Sequence, residues 1–222
     1  MAAHEQRDGP GVVLFDLDNT LADREAAFRR WAEHFAAEHE LDGSCVQFLC
    51  MSDGDGYVPR DELFGAIRNR YGLTPAVEEL VDRYRAEYPR HFQPASDVRG
   101  ALMRLRENGW KIGIVTNGPP SQNDKIASLG LGDLIDGSCV SADVSVEKPD
   151  RRIFELAAAH CGGPLSGWMV GDSADTDIAG GQAAGLRTIW VSHGRTWDRP
   201  DYAPDAVVAT IAEAAARITG RR

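Results

Sequence analysis

The sequence predicts an α/β protein, a doubly wound parallel sheet with a helical domain inserted after its first strand. Three observations carry this. Short continuous apolar runs alternate with amphipathic helical patterns, as a parallel sheet covered on both faces requires. Three of those runs end in polar residues, at Asp16, Thr116 and Gly171-Asp172. Between the first and second runs the alternation stops, and 22–93 reads as helices with no convincing strand.

Each element follows from its local pattern. Val12–Phe15 is a buried strand run. Next come three helical faces: Phe28, Trp31 and Phe35; Leu63, Phe64, Ile67 and Tyr71; and Val77, Leu80, Val81, Tyr84 and Tyr88. This stretch is read as a domain of 22–93 inserted into a core of 1–21 and 94–222, with hinges near Leu21–Asp23 and Phe92–Ser96. Val98, Leu102 and Leu105 then line a helix face ahead of the strand Ile112–Val115. A shorter strand, Ser138–Val140, precedes a helix carrying Ile153, Phe154 and Ala157. Trp168–Val170 and Thr188–Val191 are further strands, with a helix bearing Ile178 and Ala183 between them. Returns between parallel strands are expected to cross over right-handed.

Composition excludes several classes. Lys plus Arg number 24 against 34 Asp plus Glu, a formal net charge of −10. Nonspecific duplex binding needs clustered positive charge, so no nucleic-acid partner is expected. With 43% hydrophobic and 26% charged residues, wholesale disorder is excluded. Cys45, Cys50, Cys139 and Cys161 form no CxxC pair and read as reduced thiols. Met1–Pro10 is polar and lacks the apolar core of a signal peptide. No apolar run approaches the roughly 20 residues of a membrane span. These features predict a cytoplasmic protein, monomer or homodimer, with no membrane partner.

Four constellations carry chemistry, each at a strand end, where open parallel sheets bind ligands. The first is Asp16-Leu17-Asp18-Asn19-Thr20. A lone Asp would read as a turn residue. Two carboxylates one residue apart repel and need a cation or a shared proton, and a hard ion such as Mg²⁺ supplies the cation. The second is Thr116-Asn117-Gly118. It is either an ordinary turn or a phosphate grip made of a hydroxyl and free backbone amides. The third is Lys148-Pro149-Asp150. It reads as a solvated Lys before a helix, unless acids and phosphate nearby need a counter-charge. The fourth is Gly171-Asp172-Ser173-Ala174-Asp175-Thr176-Asp177. Asp172 leaves its strand directly and is the better metal ligand, while Asp175 fits helix capping.

In this order the four motifs resemble those of the haloacid dehalogenase (HAD) superfamily, and the helical insertion is similar to the cap which that superfamily places between its first two motifs. The resemblance implies a HAD-like Rossmannoid core and a phosphatase of small phosphorylated metabolites, of the sugar phosphate or nucleotide monophosphate class. It implies that Asp16 attacks phosphorus to form an aspartyl-phosphate. Asp18 would protonate the leaving oxygen and then activate water. Mg²⁺ would be held by Asp16, the Asp18 carbonyl and Asp172, with Asp177 in support. Thr116, Asn117, Gly118 and Lys148 would bind the phosphoryl group. A carboxylate nucleophile splits one hard hydrolysis into two easier steps. Positioning and charge neutralisation supply most of the remainder. A haloacid dehalogenase would lack Asp18; a phosphomutase would share it. A receiver-like signalling module would not carry its acid pair before a large insertion. A non-catalytic phosphate-binding protein on the same fold remains a distinct alternative.

Two further expectations concern the insertion. It leaves the core just past Thr20, so it can close over the strand ends; Arg24 and Phe28 are candidate substrate contacts, with packing against Trp31 and Phe35 the preferred reading for Phe28. Met51–Glu62 looks like part of a calcium loop, with Asp53, Asp55, Gly56 and Glu62 in place, but Met51 cannot serve as the first ligand. It is read as a turn. His34 and His39 are five apart and make no metal pair. Arg217, Arg221 and Arg222 are read as a solvated tail.

Overall fold

The computed structural model describes residues 11–56, 58–94 and 97–220. The readings placed on Met1–Pro10, Tyr57, Ser96, Arg221 and Arg222 lie outside the described residues. The chain divides into two compact units, Met1–Ala22 with Pro94–Arg222, and Asp23–Gln93.

The first unit is built on a parallel sheet. Its strands are β1 (Val12–Phe15), β2 (Lys111–Thr116), β3 (Gly137–Val140), β4 (Gly167–Gly171), β5 (Arg187–Val191) and β6 (Ala206–Val208), in the spatial order β3-β2-β1-β4-β5-β6. All the pairings are parallel. β1 starts the count and lies inside the sheet: β2 and β3 extend to one side, β4 to β6 to the other. The chain order therefore reverses between β1 and β4, the switch point where open α/β sheets bind ligands.

Val12, Val13, Leu14 and Phe15 are all fully buried. Alternate side chains point to opposite faces, so both faces of β1 are covered. On one face, Val12 and Leu14 join a cluster with Val115, Cys139 and Met169, closed by Ile153, Phe154 and Ala157. Those last three belong to α8 (Arg151–His160), which packs on β1, β2 and β3. α5 (Val98–Glu107) packs on β2 and against α10 (Ile211–Ile218). Each fully buried large aliphatic or aromatic side chain contributes about 1.5–3 kcal/mol. Short helices α6 (Gln122–Ser128), α7 (Ser141–Val144) and α9 (Gly180–Ala183) complete the unit, with a π-helical turn over Ala174–Ala179. Neither β6 nor that turn was legible in the sequence. β6 has three residues, Ala206-Val207-Val208, an apolar run too short to stand out as a strand.

The second unit holds α1 (Arg24–Glu38), α2 (Gly43–Ser52), α3 (Arg60–Tyr71) and α4 (Val77–Glu87). Asp23 caps α1 by accepting from the Ala26 amide at 2.9 Å, and Asp42 caps α2 through Ser44. Gly72 ends α3 at φ 65°, a left-handed conformation that favours glycine. The core is aromatic. Trp31 sits 5.3 Å from both Phe28 and Phe35, 5.7 Å from Phe64 and 4.8 Å from Tyr84, ring centre to ring centre. Phe28 is buried in this cluster and also meets Tyr88, so it packs inside rather than facing a substrate. Among the described residues no helix is long and apolar enough to cross a membrane.

Candidate active site

The end of β1 delivers Asp16, whose amide still donates to Val170 of β4 at 2.9 Å. The chain then turns tightly: the amides of Leu21 and Ala22 both donate to the Leu17 carbonyl, and Asn19 takes φ 59°. Asp16 is thus fixed by the sheet, and Asp18 lies on a turn that is itself hydrogen-bonded.

Lys148 comes from the segment before α8. Its Nζ lies 2.6 Å from Asp16 Oδ1 and 2.7 Å from Asp177 Oδ1, and all three residues are buried. A buried ammonium is tolerated only where carboxylates surround it. Of the two readings of Lys148, this geometry matches the counter-charge one. Asp177 stands in the π-helical turn, where its Oδ2 accepts from the Ser173 amide at 3.0 Å. That turn fits only because residue 171 is glycine: a Cβ there would lie 2.2 Å from Asp177 Oδ2. Asp172 follows β4 directly and pairs with Arg195 at 3.1 Å.

Electrostatics follow from this crowding. Burial raises the Asp16 pKa; Lys148 pulls it back, but Asp177 and Asp172 add to the rise, and the net direction is up. Burial, with Asp177, pushes Asp172 up to about 6 against the pull of Arg195. Burial alone would lower the Lys148 pKa, yet the field of Asp16 and Asp177 outweighs it and raises it. Together these directions describe a site with more negative charge than one lysine offsets. Carboxylate oxygens of Asp16, Asp172 and Asp177 lie within 4.8 Å of one another. An oxygen-only set with excess negative charge suits a hard cation such as Mg²⁺.

Thr116 ends β2 almost fully buried. Its neighbours are placed otherwise than the phosphate-gripping expectation. Asn117 Nδ2 donates to the Lys148 carbonyl at 2.9 Å, and its Oδ1 accepts from the Lys148 amide at 2.8 Å. Its side chain is committed to fixing the backbone of Lys148. The Gly118 amide donates to Ser141 Oγ at 3.0 Å, so it is not free for a ligand. Arg24, in the helical unit, is buried against Asp53 at 2.6 Å and Asp55 at 3.2 Å. The expectation of a substrate contact there is corrected: the guanidinium is occupied inside its own unit. Asp53 is saturated in turn, because Arg60 takes its other oxygen at 2.7 Å. The calcium-like loop is an arginine–aspartate cluster.

Sequence reasoning missed Gln122 and Lys125 of α6, which hold Asp18, and Arg195 on Asp172. Only their i, i+3 spacing hinted that Gln122 and Lys125 share a helix face.

Comparison with known proteins places the chain in a family. A model of haloacid dehalogenase-like hydrolases matches residues 10–185. The chain is 38% identical over 216 residues to the pyrimidine 5'-nucleotidase YjjG of Escherichia coli, covering 90% of this chain and 94% of that one. It is 30% identical over 204 residues to a phosphoserine phosphatase of Thermus thermophilus, with 86% and 78% covered. The fold is shared with YfnB of Bacillus subtilis, solved with magnesium bound, at a TM-score of 0.73 and 24% identity over 95% and 99% of the two chains. With its acids gathered at the switch point of a parallel sheet, this chain belongs to the haloacid dehalogenase-like hydrolases.

Proposed function

We propose that this hydrolase is a Mg²⁺-dependent phosphatase of small phosphorylated metabolites, of the sugar phosphate or nucleotide monophosphate class. The observation that carries the reading is Asp16, a buried carboxylate at a strand end, gripped by Lys148 at 2.6 Å beside Asp172 and Asp177. Relatives above 30% identity over most of the chain support it: they carry phosphatase or nucleotidase names.

In this reading an Asp16 oxygen attacks phosphorus, and the bond from phosphorus to the leaving oxygen breaks. Asp18 donates a proton to that oxygen. Water then attacks the aspartyl-phosphate, Asp18 takes a proton from it, and Asp16 is released with inorganic phosphate. General acid–base assistance of this kind is worth about 10²–10⁴-fold. Lys148 and Thr116 bind phosphoryl oxygens, and Asn117 contributes by holding Lys148. Asp16, the Asp18 carbonyl and Asp172 would hold Mg²⁺, supported by Asp177. When bound, the ion would screen the carboxylates from the incoming phosphoryl group and draw charge from it. The inserted helical unit serves as the cap, a role suggested by its place in the chain between the first two motifs.

The test is hydrolysis of a panel of phosphorylated metabolites. Turnover is expected with Mg²⁺ and lost in excess chelator, and Asp16→Asn should abolish it in a protein that still melts cooperatively. Activity that persists in chelator, or in folded Asp16→Asn, overturns the proposal. Chloride release from a 2-haloacid, or transfer of phosphate within a sugar, would identify the dehalogenase or mutase alternative.

A further inference from the structure

Asp18 is the one acid of the first motif that the carboxylate–lysine cluster does not hold. Its partners come from α6. Lys125 Nζ lies 3.0 Å from Asp18 Oδ1 and 2.8 Å from Oδ2, spanning both oxygens. Gln122 Nε2 donates to Asp18 Oδ2 at 2.9 Å and to Thr116 Oγ1 at 2.8 Å. Gln122 and Lys125 stand one helical turn apart on the same face and are buried, at 2% and 8% exposure. The Asp18 side chain keeps 25% of its surface open.

Burying a lysine and an amide is costly unless their partners need them. A solvated surface Asp would need neither. The chain instead reaches across more than a hundred positions to fix this one carboxylate at both oxygens, leaving an open edge. Gln122 also ties it to Thr116, so the Asp18 carboxyl group is set relative to the end of β2 as well as by its own turn.

From this network we infer that Lys125 and Gln122 are positioning residues: they orient the Asp18 carboxyl group for its proton transfers. The inference rests on the proposed acid–base role of Asp18. It assigns to α6 a function that the four motifs do not contain. A misplaced acid hurts most where the leaving oxygen is a poor leaving group and needs its proton; a stable phenolate leaves without one.

The experiment measures kcat/KM in Mg²⁺ for an alkyl phosphate, glycerol 2-phosphate, and for 4-nitrophenyl phosphate. Four variants are compared: Asp18→Asn, Lys125→Met, Gln122→Leu and the double variant Asp18→Asn with Lys125→Met. Lys125→Met should lose about 10- to 100-fold on the alkyl ester, less than the roughly 10²–10⁴-fold of general acid catalysis because the acid is misplaced and not removed, while 4-nitrophenyl phosphate is nearly unaffected. Gln122→Leu should shift the ratio in the same direction and supplies the readout should Lys125→Met fail to fold. The double variant should lose no more than Asp18→Asn alone. Equal losses on both esters, or a further loss in the double variant, overturn the positioning role. A ratio changed by Asp18→Asn but not by the α6 variants overturns this inference alone. A ratio unchanged by Asp18→Asn overturns the acid–base reading of Asp18, and this inference with it.

Discussion

Lys148 touches two carboxylates, and Asp172 stands close enough to push on both. That balance makes single residues in the site unequal. Asp16 and Asp177 share an ammonium, whereas Asp172 pairs with Arg195, whose side chain is half exposed and held at the longer distance of 3.1 Å. Asp172 should therefore be the residue whose loss is read chiefly in metal affinity. Asp172→Ala is expected to raise the Mg²⁺ concentration for half-maximal turnover by at least about tenfold, the scale of one lost charge-assisted ligand contact. Titration of activity against Mg²⁺ checks this; an unchanged midpoint would remove Asp172 from the ligand set.

Two elements owe their stability to buried or half-buried acids. In the helical unit, Asp53 bridges Arg24 of α1 and Arg60 of α3. Removing one partner from such a cluster strands charge in the interior, so Asp53→Ala should cost about 3–5 kcal/mol in a denaturant titration. Calorimetry should detect no tight Ca²⁺ binding to the wild type, since both Asp53 oxygens already accept from guanidinium groups. In the core unit, Asp136 accepts from the Ile112 amide at 2.9 Å and pairs with Arg106 and Lys111, closing the start of β2. Burial would raise the Asp136 pKa, but these donors outweigh it and hold it below the ordinary carboxylate value. A depressed pKa stabilises the fold above the unfolded-state value, and the contribution fades as pH falls through the folded one. Asp136→Asn should thus be about 1 kcal/mol less stable at neutral pH, with the gap closing in acid. A gap that widens in acid would contradict the sign.

At the scale of the molecule, each unit has its own hydrophobic core: a layered aliphatic one around β1 and an aromatic one around Trp31. A cavity in one should be felt mainly there. Trp31→Ala is expected to cost the helical unit about 3–5 kcal/mol. Hydrogen exchange should show faster exchange across α1, α3 and α4 while the amides of β1, β2 and β4 keep their protection. Equal loss of protection in both units would show that they unfold as one.

The sequence by itself determined the strands that matter and the acids at their ends. Continuous apolar runs name buried parallel strands, and a carboxylate that closes such a run has nowhere to be but the sheet's carboxyl edge. Asp16, Thr116 and Asp172 were legible for that reason, as was the aromatic character of Phe28, Trp31 and Phe35. Tertiary structure decided everything that depends on who stands opposite. It placed Lys148 between Asp16 and Asp177, spent Asn117 and Gly118 on holding neighbours, and withdrew Arg24 into a pair with Asp53. It also brought Gln122 and Lys125 to Asp18. Hydrophobic periodicity is a local signal, visible within one element. A polar side chain has no periodicity to betray its partner, and its role is set by whichever charge the fold brings within about 3 Å.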